Sequence, residues 1–394
     1  MTAGRAAADL PGETNVCLQA AVDYVAGLGG GVVEIAPGRY AMHDSLHLRP
    51  RVTVRGAGGE TVLVKVPMLT SPVTANLGYG HYDISVADPE RFPPGTGVYI
   101  SDDGSGGFYT TVATVTYRDG DRLGVSRALS HDYHPQASAV ARSLYPVVSV
   151  IDADDARVEN LLIEGNAGAN DYLTGCRGGG VFALQSDRIV VRGVTVADFN
   201  GDGISFQQCC DVLVEDCRCE RNRGHGFHPG SGSTGIAMRR LVSVKNGQDG
   251  IYYCLRASRG VMERSAFIGN ARHGISIGGR DTDHVIRDCQ VQENGASGVY
   301  FRPADEVMAP SRNVIEGCTI EANGRDAGDD PDRAAEVNVI SPVEGVVLRG
   351  NTIRPGEPVN AQWAGIRLSA AVRDVTLDAN TIAGPEDRRV VDLR

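Results

Sequence analysis

His228 and Tyr252 stand at the same place in successive copies of a short pattern: a glycine, one apolar residue, then the side chain in question. An imidazole and a phenol so placed can take and give a proton. Ser205, Ser276 and Tyr300 fill that place in neighbouring copies, and Gln207 lies two residues beyond Ser205 on the same face. A second column precedes each apolar residue by two positions and runs Asp202, His225, Asp249, His273. Arg256 and Arg280 recur at equal offsets from Ile251 and Ile275, and Arg302 follows in the next copy. A proton taken from a carbon beside a carboxylate needs a cation on that carboxylate, a base and an acid. Arg256 or Arg280 would be the cation, and His228 and Tyr252 the base and acid in either order. For Tyr252 to act as base, nearby arginines would have to depress its pKa. His225, Asp249 and His273 would orient the pair or hold substrate, with Asp202, Gln207, Tyr300 and Arg302 as further binding residues. The alternative for Asp202 and Asp249 is turn-making, since Asp before Gly is a common turn pair.

These residues share a register because the chain has a beat. Gly226, Gly250, Gly274 and Gly298 are each 24 apart, and Phe227, Ile251, Ile275 and Val299 follow them. Asn222, Asn246, Asn270 and Asn294 each precede the glycine by four. A fixed period of this size marks a solenoid, and the short β-branched runs make its coils strands rather than helix pairs. The expected fold is all-β: a single-stranded right-handed parallel β-helix. Side chains alternate along a strand, so the residue after each buried apolar one faces out, and successive rows lie about 4.8 Å apart. His228 and Tyr252 then become neighbours on an exterior trough.

Three regions are expected. Residues 1–69 hold a capping helix over 14–28, with Val16, Leu18, Ala21, Val22 and Val25 at helical spacing and Thr14 or Asn15 as cap, followed by the first coils. A cap covers the open end of a solenoid, where core and strand edges are exposed. Residues 70–145 break the beat and read as a β-rich insertion packed on the helix, serving as lid, oligomer contact or cleft wall. Residues 146–394 form the main β-helix, with a polar loop at 324–334. The chain has 50 glycines, 6% aromatics and a formal charge of −11. That balance argues against a nucleic-acid surface, which needs a basic stripe. The nine cysteines show no metal-type CxxC pair. Cys217, Cys289 and Cys318 end Val/Ile-rich strands as small stack residues, and Cys217 and Cys219 sit too close for an unstrained bridge. No signal-peptide core and no apolar run of membrane length is seen, which points to a cytoplasmic protein with no membrane partner, or a secreted one if a leader was removed.

The stretch from 14 to 65 resembles the opening of pectate-lyase-superfamily proteins, where a helix caps the first coil. RHGISIGG (272–279) is similar to the HGISIGS motif of polygalacturonases. QDGIYY (248–253) sits where those enzymes carry a GDD pair, GVYFRP (298–303) where they carry Arg-x-Lys, and HGFHPG (225–230) at their NTD position. Of the three acidic positions only Asp249 remains, so the paired carboxylates of an inverting glycosidase are not evident. HGFHPG also resembles the YGFDPH motif of mannuronan C5-epimerases, matching at Gly226, Phe227 and Pro229.

Together these point to a carbohydrate-active enzyme on a uronate-containing saccharide, acting by C5 proton abstraction and then β-elimination (a lyase) or reprotonation (an epimerase). The alternatives are a polygalacturonase-like hydrolase using Asp249 with Asp202 or Asp281, an intracellular isomerase or lyase on a small sugar-derived metabolite, and a non-catalytic glycan-binding solenoid. No cofactor is expected. The one metal alternative is Ca²⁺ at Asp281 and Asp283, two apart in GGRDTDH, because hard oxygen ligands suit that ion. Exposed solenoid edges leave room for a homo-oligomer.

Overall fold

The computed structural model describes residues 1–5, 7–76 and 78–394. Eleven parallel strands stack into one face, from Leu46–His47 through Phe227–Gly230 and Ile251–Tyr252 to Val390–Asp392. Their register aligns one inward column: Leu46, Val148, Val181, Ile204, Phe227, Ile251, Ile275, Val299, Val337 and Ile366. Every one of these is buried, and each such side chain removed from water contributes roughly 1.5–3 kcal/mol. The remaining walls come from pairs such as Leu213–Glu215 on Ala237–Arg239 and Arg218–Glu220 on Val242–Val244, again one coil apart and parallel. Cys217, Cys289 and Cys318 are buried stack residues, and all nine cysteines are free.

The repeating asparagines explain how buried turns are satisfied. Each Nδ2 donates to the Oδ1 one coil on: Asn222 to Asn246 (3.0 Å), Asn246 to Asn270 (2.9 Å), Asn270 to Asn294 (3.0 Å) and Asn294 to Asn323 (2.8 Å). The same Oδ1 accepts the backbone N–H of the asparagine before it, as Asn246 Oδ1 does from Asn222 at 3.0 Å. The ladder ends on Glu336, whose Oε2 accepts from Asn323 (2.7 Å) and whose Oε1 accepts from Trp363 Nε1 (3.1 Å). Burial pushes the Glu336 carboxyl up to about 7.

The helix spans Asn15–Gly27, with the Thr14 hydroxyl accepting from the Val16 amide at 3.3 Å. It buries Cys17, Leu18, Ala21, Val22 and Val25 over the first coil, while Val16 points to solvent. The expected insertion is a six-stranded antiparallel sheet, Thr70–Pro72 to Val140–Arg142, with its own core around Ile84, Phe92, Val98, Ile100 and Leu123. Its contacts fall on the first coils rather than on the helix as expected. Tyr145 Oη donates to Met42 O (2.7 Å), the Gly97 amide to His43 O (3.0 Å), and Thr114 Oγ1 to Asp44 Oδ2 (2.5 Å). A cavity of about 590 Å³ lies between it and the strand face, lined by His47, Ser149, Phe182, Thr111, Arg127 and Arg177 among others. The physical reason is that the helix already has a covered face, whereas the first strand rows leave polar groups of Asp44 and His47 to be paired.

Candidate active site

The outward column runs Ser149, Phe182, Ser205, His228, then Tyr252, Ser276, Tyr300, Asn338 and Arg367, as the register of the inward residues requires. The rings of His228 and Tyr252 meet edge to face, 5.4 Å between centroids and 89° between planes. His225 stacks flat on Tyr252 at 4.4 Å and 17°. On the far side of Tyr252 the Arg302 guanidinium carbon lies 3.9 Å from the ring centroid. Arg302 is held there by Ser276 Oγ (2.8 Å) and Asp281 Oδ2 (3.3 Å). One coil further, His273 stacks on Tyr300 at 4.1 Å and 12°.

The column ahead of the strands is a ladder that uses side chains on backbone. Asp202 Oδ1 accepts the His225 amide (2.8 Å), His225 Nδ1 accepts the Asp249 amide (3.1 Å), and Asp249 Oδ1 accepts the His273 amide (2.9 Å). Asp202 and Asp249 thus each tie their own coil to the next through its backbone. Asp202 has a second partner: its Oδ2 lies 2.6 Å from His228 Nδ1. Burial pushes the Asp202 carboxyl up, but His225 and His228 together hold it below the usual carboxylate range. An ionised Asp202 fixes the proton of His228 on Nδ1, so the lone pair sits on Nε2. Nε2 is buried without a partner among the described residues. His225 has the opposite tautomer, because its Nδ1 accepts an amide; burial lowers its pKa.

Other expectations are revised by this geometry. Arg256 and Arg280 are exposed, at left-handed turn positions (φ 68° and 61°), and neither carries an ion pair or side-chain hydrogen bond among the described residues. A turn residue with positive φ directs its side chain away from the preceding strand row, so Arg302, the first residue past the strand Val299–Phe301, is the cation that reaches the Tyr252 ring. The phenol of Tyr252 is not depressed: burial raises it and Arg302 only partly opposes. Burial likewise brings His273 down to about 4. Gln207 is buried, its Nε2 donating to Ser205 Oγ (3.1 Å) while its Oε1 has no partner among the described residues. Asp281 and Asp283 do not converge. Asp281 accepts the Ala257 and Gly278 amides and pairs with Arg302, while Asp283 pairs with Arg312 at 2.7 Å. Burial pushes Asp281 up to about 7.

The trough is also roofed, which the periodicity did not foretell. Residues 165–180 arch over the column: the Leu173 amide donates to Asn200 O (3.1 Å), and Gly175 O accepts from Ser205 Oγ (2.6 Å). A Cβ at Gly175 would fall 1.7 Å from Asp202 Oδ2 and 2.4 Å from His228 Nδ1, so only glycine passes there. His228 is consequently 3% exposed and Asp202 0%. The roof brings Cys176 to the site, and Cys254 approaches from the coil of Tyr252. The sulfur atoms of both and a ring nitrogen of His228 lie within 4.8 Å of one another. The proximity of the two thiols lowers the pKa of Cys176 and raises that of Cys254. The signal for the roof was length: Val181 lies eighteen positions after Ile163, where Ile204 lies eight after Val196.

Parallel strands stacked coil on coil around one apolar column define a right-handed β-helix. The chain belongs to the family described as "Right handed beta helix region", whose model matches residues 96–254 and 231–387. Among curated proteins it is similar to Mannuronan C5-epimerase AlgE2 of Azotobacter vinelandii, 30% identical over 115 residues, which is 29% of this chain and 11% of that protein. The match thus spans about a tenth of the relative's length. Among solved structures it is similar to the Azotobacter vinelandii Mannuronan C-5 epimerase AlgE4 A-module, with TM-score 0.57, 16% identity, and coverage of 96% of this chain and 91% of that one. It is also similar to a polygalacturonase from Erwinia carotovora ssp. carotovora, with TM-score 0.53, 9% identity, and coverage of 91% and 89%. At those identities the structural likenesses concern the fold. No helix among the described residues is long and apolar enough to cross a membrane.

Proposed function

We propose that the protein is an enzyme acting on a uronate-containing saccharide, with His228 as the base and Tyr252 as the acid. The observation that carries this reading is the Asp202–His228 hydrogen bond, which leaves the Nε2 lone pair without a protein partner beside a phenol and a guanidinium. Nε2 takes the C5 proton. Tyr252, protonated because burial raises its pKa, gives a proton either to the opposite face of C5 or to the leaving glycosidic oxygen. Arg302 neutralises the carboxylate as charge moves onto it. The local sequence match to a mannuronan C5-epimerase supports the substrate class. Since His228 is covered by the 172–177 roof, turnover requires that segment to lift.

The test is a polyuronate incubated with the protein in deuterated water. Deuterium at C5 with the chain length kept marks an epimerase, and an unsaturated, ultraviolet-absorbing end marks a lyase. New reducing ends with neither signal would overturn the proton-abstraction chemistry in favour of hydrolysis. Binding with no chemical change on any uronate or neutral glycan would leave a binding solenoid.

A further inference from the structure

We propose that Cys176, Cys254 and His228 form a binding site for a thiophilic metal ion, Zn²⁺ being the best fit, that clamps the roof to the coils. Three donors converge from three separate segments, the roof, the strand at Phe227–Gly230 and the turn after Ile251–Tyr252, with their ligand atoms within 4.8 Å. Zinc bonds to thiolate and imidazole of about 2.3 and 2.0 Å place tetrahedral ligand atoms roughly 3.3–3.8 Å apart, so a contraction of about 1 Å closes the site. Two sulfurs and an imidazole select Zn²⁺ or Cu⁺ over Ca²⁺ and Mg²⁺.

Two independent features point to a ligand rather than to packing. The first is His228 Nε2, a buried polar atom without a hydrogen-bond partner. Such an atom costs free energy unless something occupies its lone pair. The second is Asp202, which holds the other ring nitrogen at 2.6 Å. A carboxylate behind a histidine is how metal-binding imidazoles are oriented and made more basic. A disulfide between the two cysteines would leave Nε2 unpartnered, which disfavours that alternative.

The site has a consequence for the function proposed above. One lone pair cannot hold a metal and take a proton, and a Cys176–metal bond ties the roof down. The metal-loaded protein is therefore the closed, silent form. Only this consequence rests on the uronate reading; the metal site does not.

The test uses the full chain, reduced and handled without oxygen, titrated with Co²⁺. Expected are intense near-ultraviolet thiolate-to-cobalt bands and visible bands of a tetrahedral ion at one equivalent, bleached by Zn²⁺ and untouched by Ca²⁺. Cys176→Ser and Cys254→Ser should each lower the Co²⁺ affinity at least tenfold, while Cys289→Ser, in the core stack, should not. Zn²⁺ should raise the thermal midpoint of the native chain and leave that of Cys176→Ser unchanged; because Cys176 lies in a surface segment, that variant folds. Absence of cobalt bands, bands that persist in Cys176→Ser, or a Cys176–Cys254 disulfide in peptide maps of protein kept under reducing handling would each overturn the proposal. These readouts do not involve turnover. If they succeed while no uronate is altered, the function reading fails alone; if both hold, a chelator should activate and Zn²⁺ inhibit.

Discussion

Arg302 and Tyr252 are stacked through two coils of the helix, the guanidinium carbon 3.9 Å from the ring centroid, and this contact places the site's cation. The planar fork is used on both edges: Nη1 donates to Ser276 Oγ at 2.8 Å, and Nη2 to Asp281 and to the Tyr253 carbonyl. Lysine keeps the charge but neither the stacking nor the fork. Arg302→Lys should therefore raise KM for a uronate oligomer at least tenfold with little change in thermal midpoint. Unchanged KM would remove Arg302 from substrate recognition.

Asp202 sets the tautomer of His228, so Asp202→Asn tests the base directly. An amide at that position can donate to Nδ1 and move the imidazole proton to Nε2, where it blocks proton abstraction. Turnover should fall by about 10²–10⁴, the range for a lost general base. His228→Gln should fall equally, and the double variant no further, because the two act as one unit. Full activity in either single variant would end the assignment.

Gly175 passes so close to Asp202 and His228 that a methyl group there must displace either those two side chains or the roof segment itself. Gly175→Ala should lift the roof, detectable as faster amide hydrogen exchange over 170–178 while the exchange of the Ile275–Ile277 strand stays native. Metal affinity should drop with it, since Cys176 rides on the same segment. Native exchange over the roof would show that the segment tolerates the displacement.

The asparagine ladder gives a stability prediction. In Asn246→Ala, Asn222 loses the Oδ1 that its amide and Nδ2 both donate to, and the Cys219 carbonyl loses a donor. Unsatisfied buried groups cost about 1–3 kcal/mol each, so denaturant titration should show a loss of about 2–5 kcal/mol at an unchanged m-value. A loss under about 0.5 kcal/mol would mean that the ladder is replaced by water.

How much of this was written in the sequence follows from which interactions repeat. The fold, the Asn ladder and the adjacency of His228 and Tyr252 all derive from the 24-residue beat, and one residue's alternation fixes a face along the whole stack. The roof over 165–180 and the sheet built by residues 70–145 do not repeat, so periodicity could say that they leave the stack but not where they return. Arg256 and Arg280 show the limit within the repeat itself. Equal offsets promise equal positions, but beyond the strand end the backbone enters a left-handed turn and alternation no longer dictates direction. The pKa of Tyr252 was likewise out of reach, because the burial that raises it comes from the site's three-dimensional enclosure.

The last prediction concerns pH. His284 is buried as a neutral ring: its Nδ1 accepts the Gly260 amide (3.1 Å), its Nε2 faces the Ala257 carbonyl (3.1 Å), and Tyr253 packs on it at 4.4 Å. Burial lowers its pKa to about 4, against 6.5 for a free histidine. Above pH 6.5 both folded and unfolded chains carry a neutral ring, and stability from this group is complete. As pH falls from 6.5 towards 4 the unfolded chain binds a proton that the folded chain refuses, so stability is lost at roughly 1.4 kcal/mol per pH unit for this residue. His273, also brought down to about 4, acts in the same window and with the same sign. Urea unfolding between pH 7 and pH 4.5 should therefore show a steepening loss, and His284→Gln should reduce that slope by about one proton whatever it does to stability at pH 7. A slope identical in the native chain and the variant would mean that the ring is protonated in the fold, and that its two hydrogen bonds are not those described.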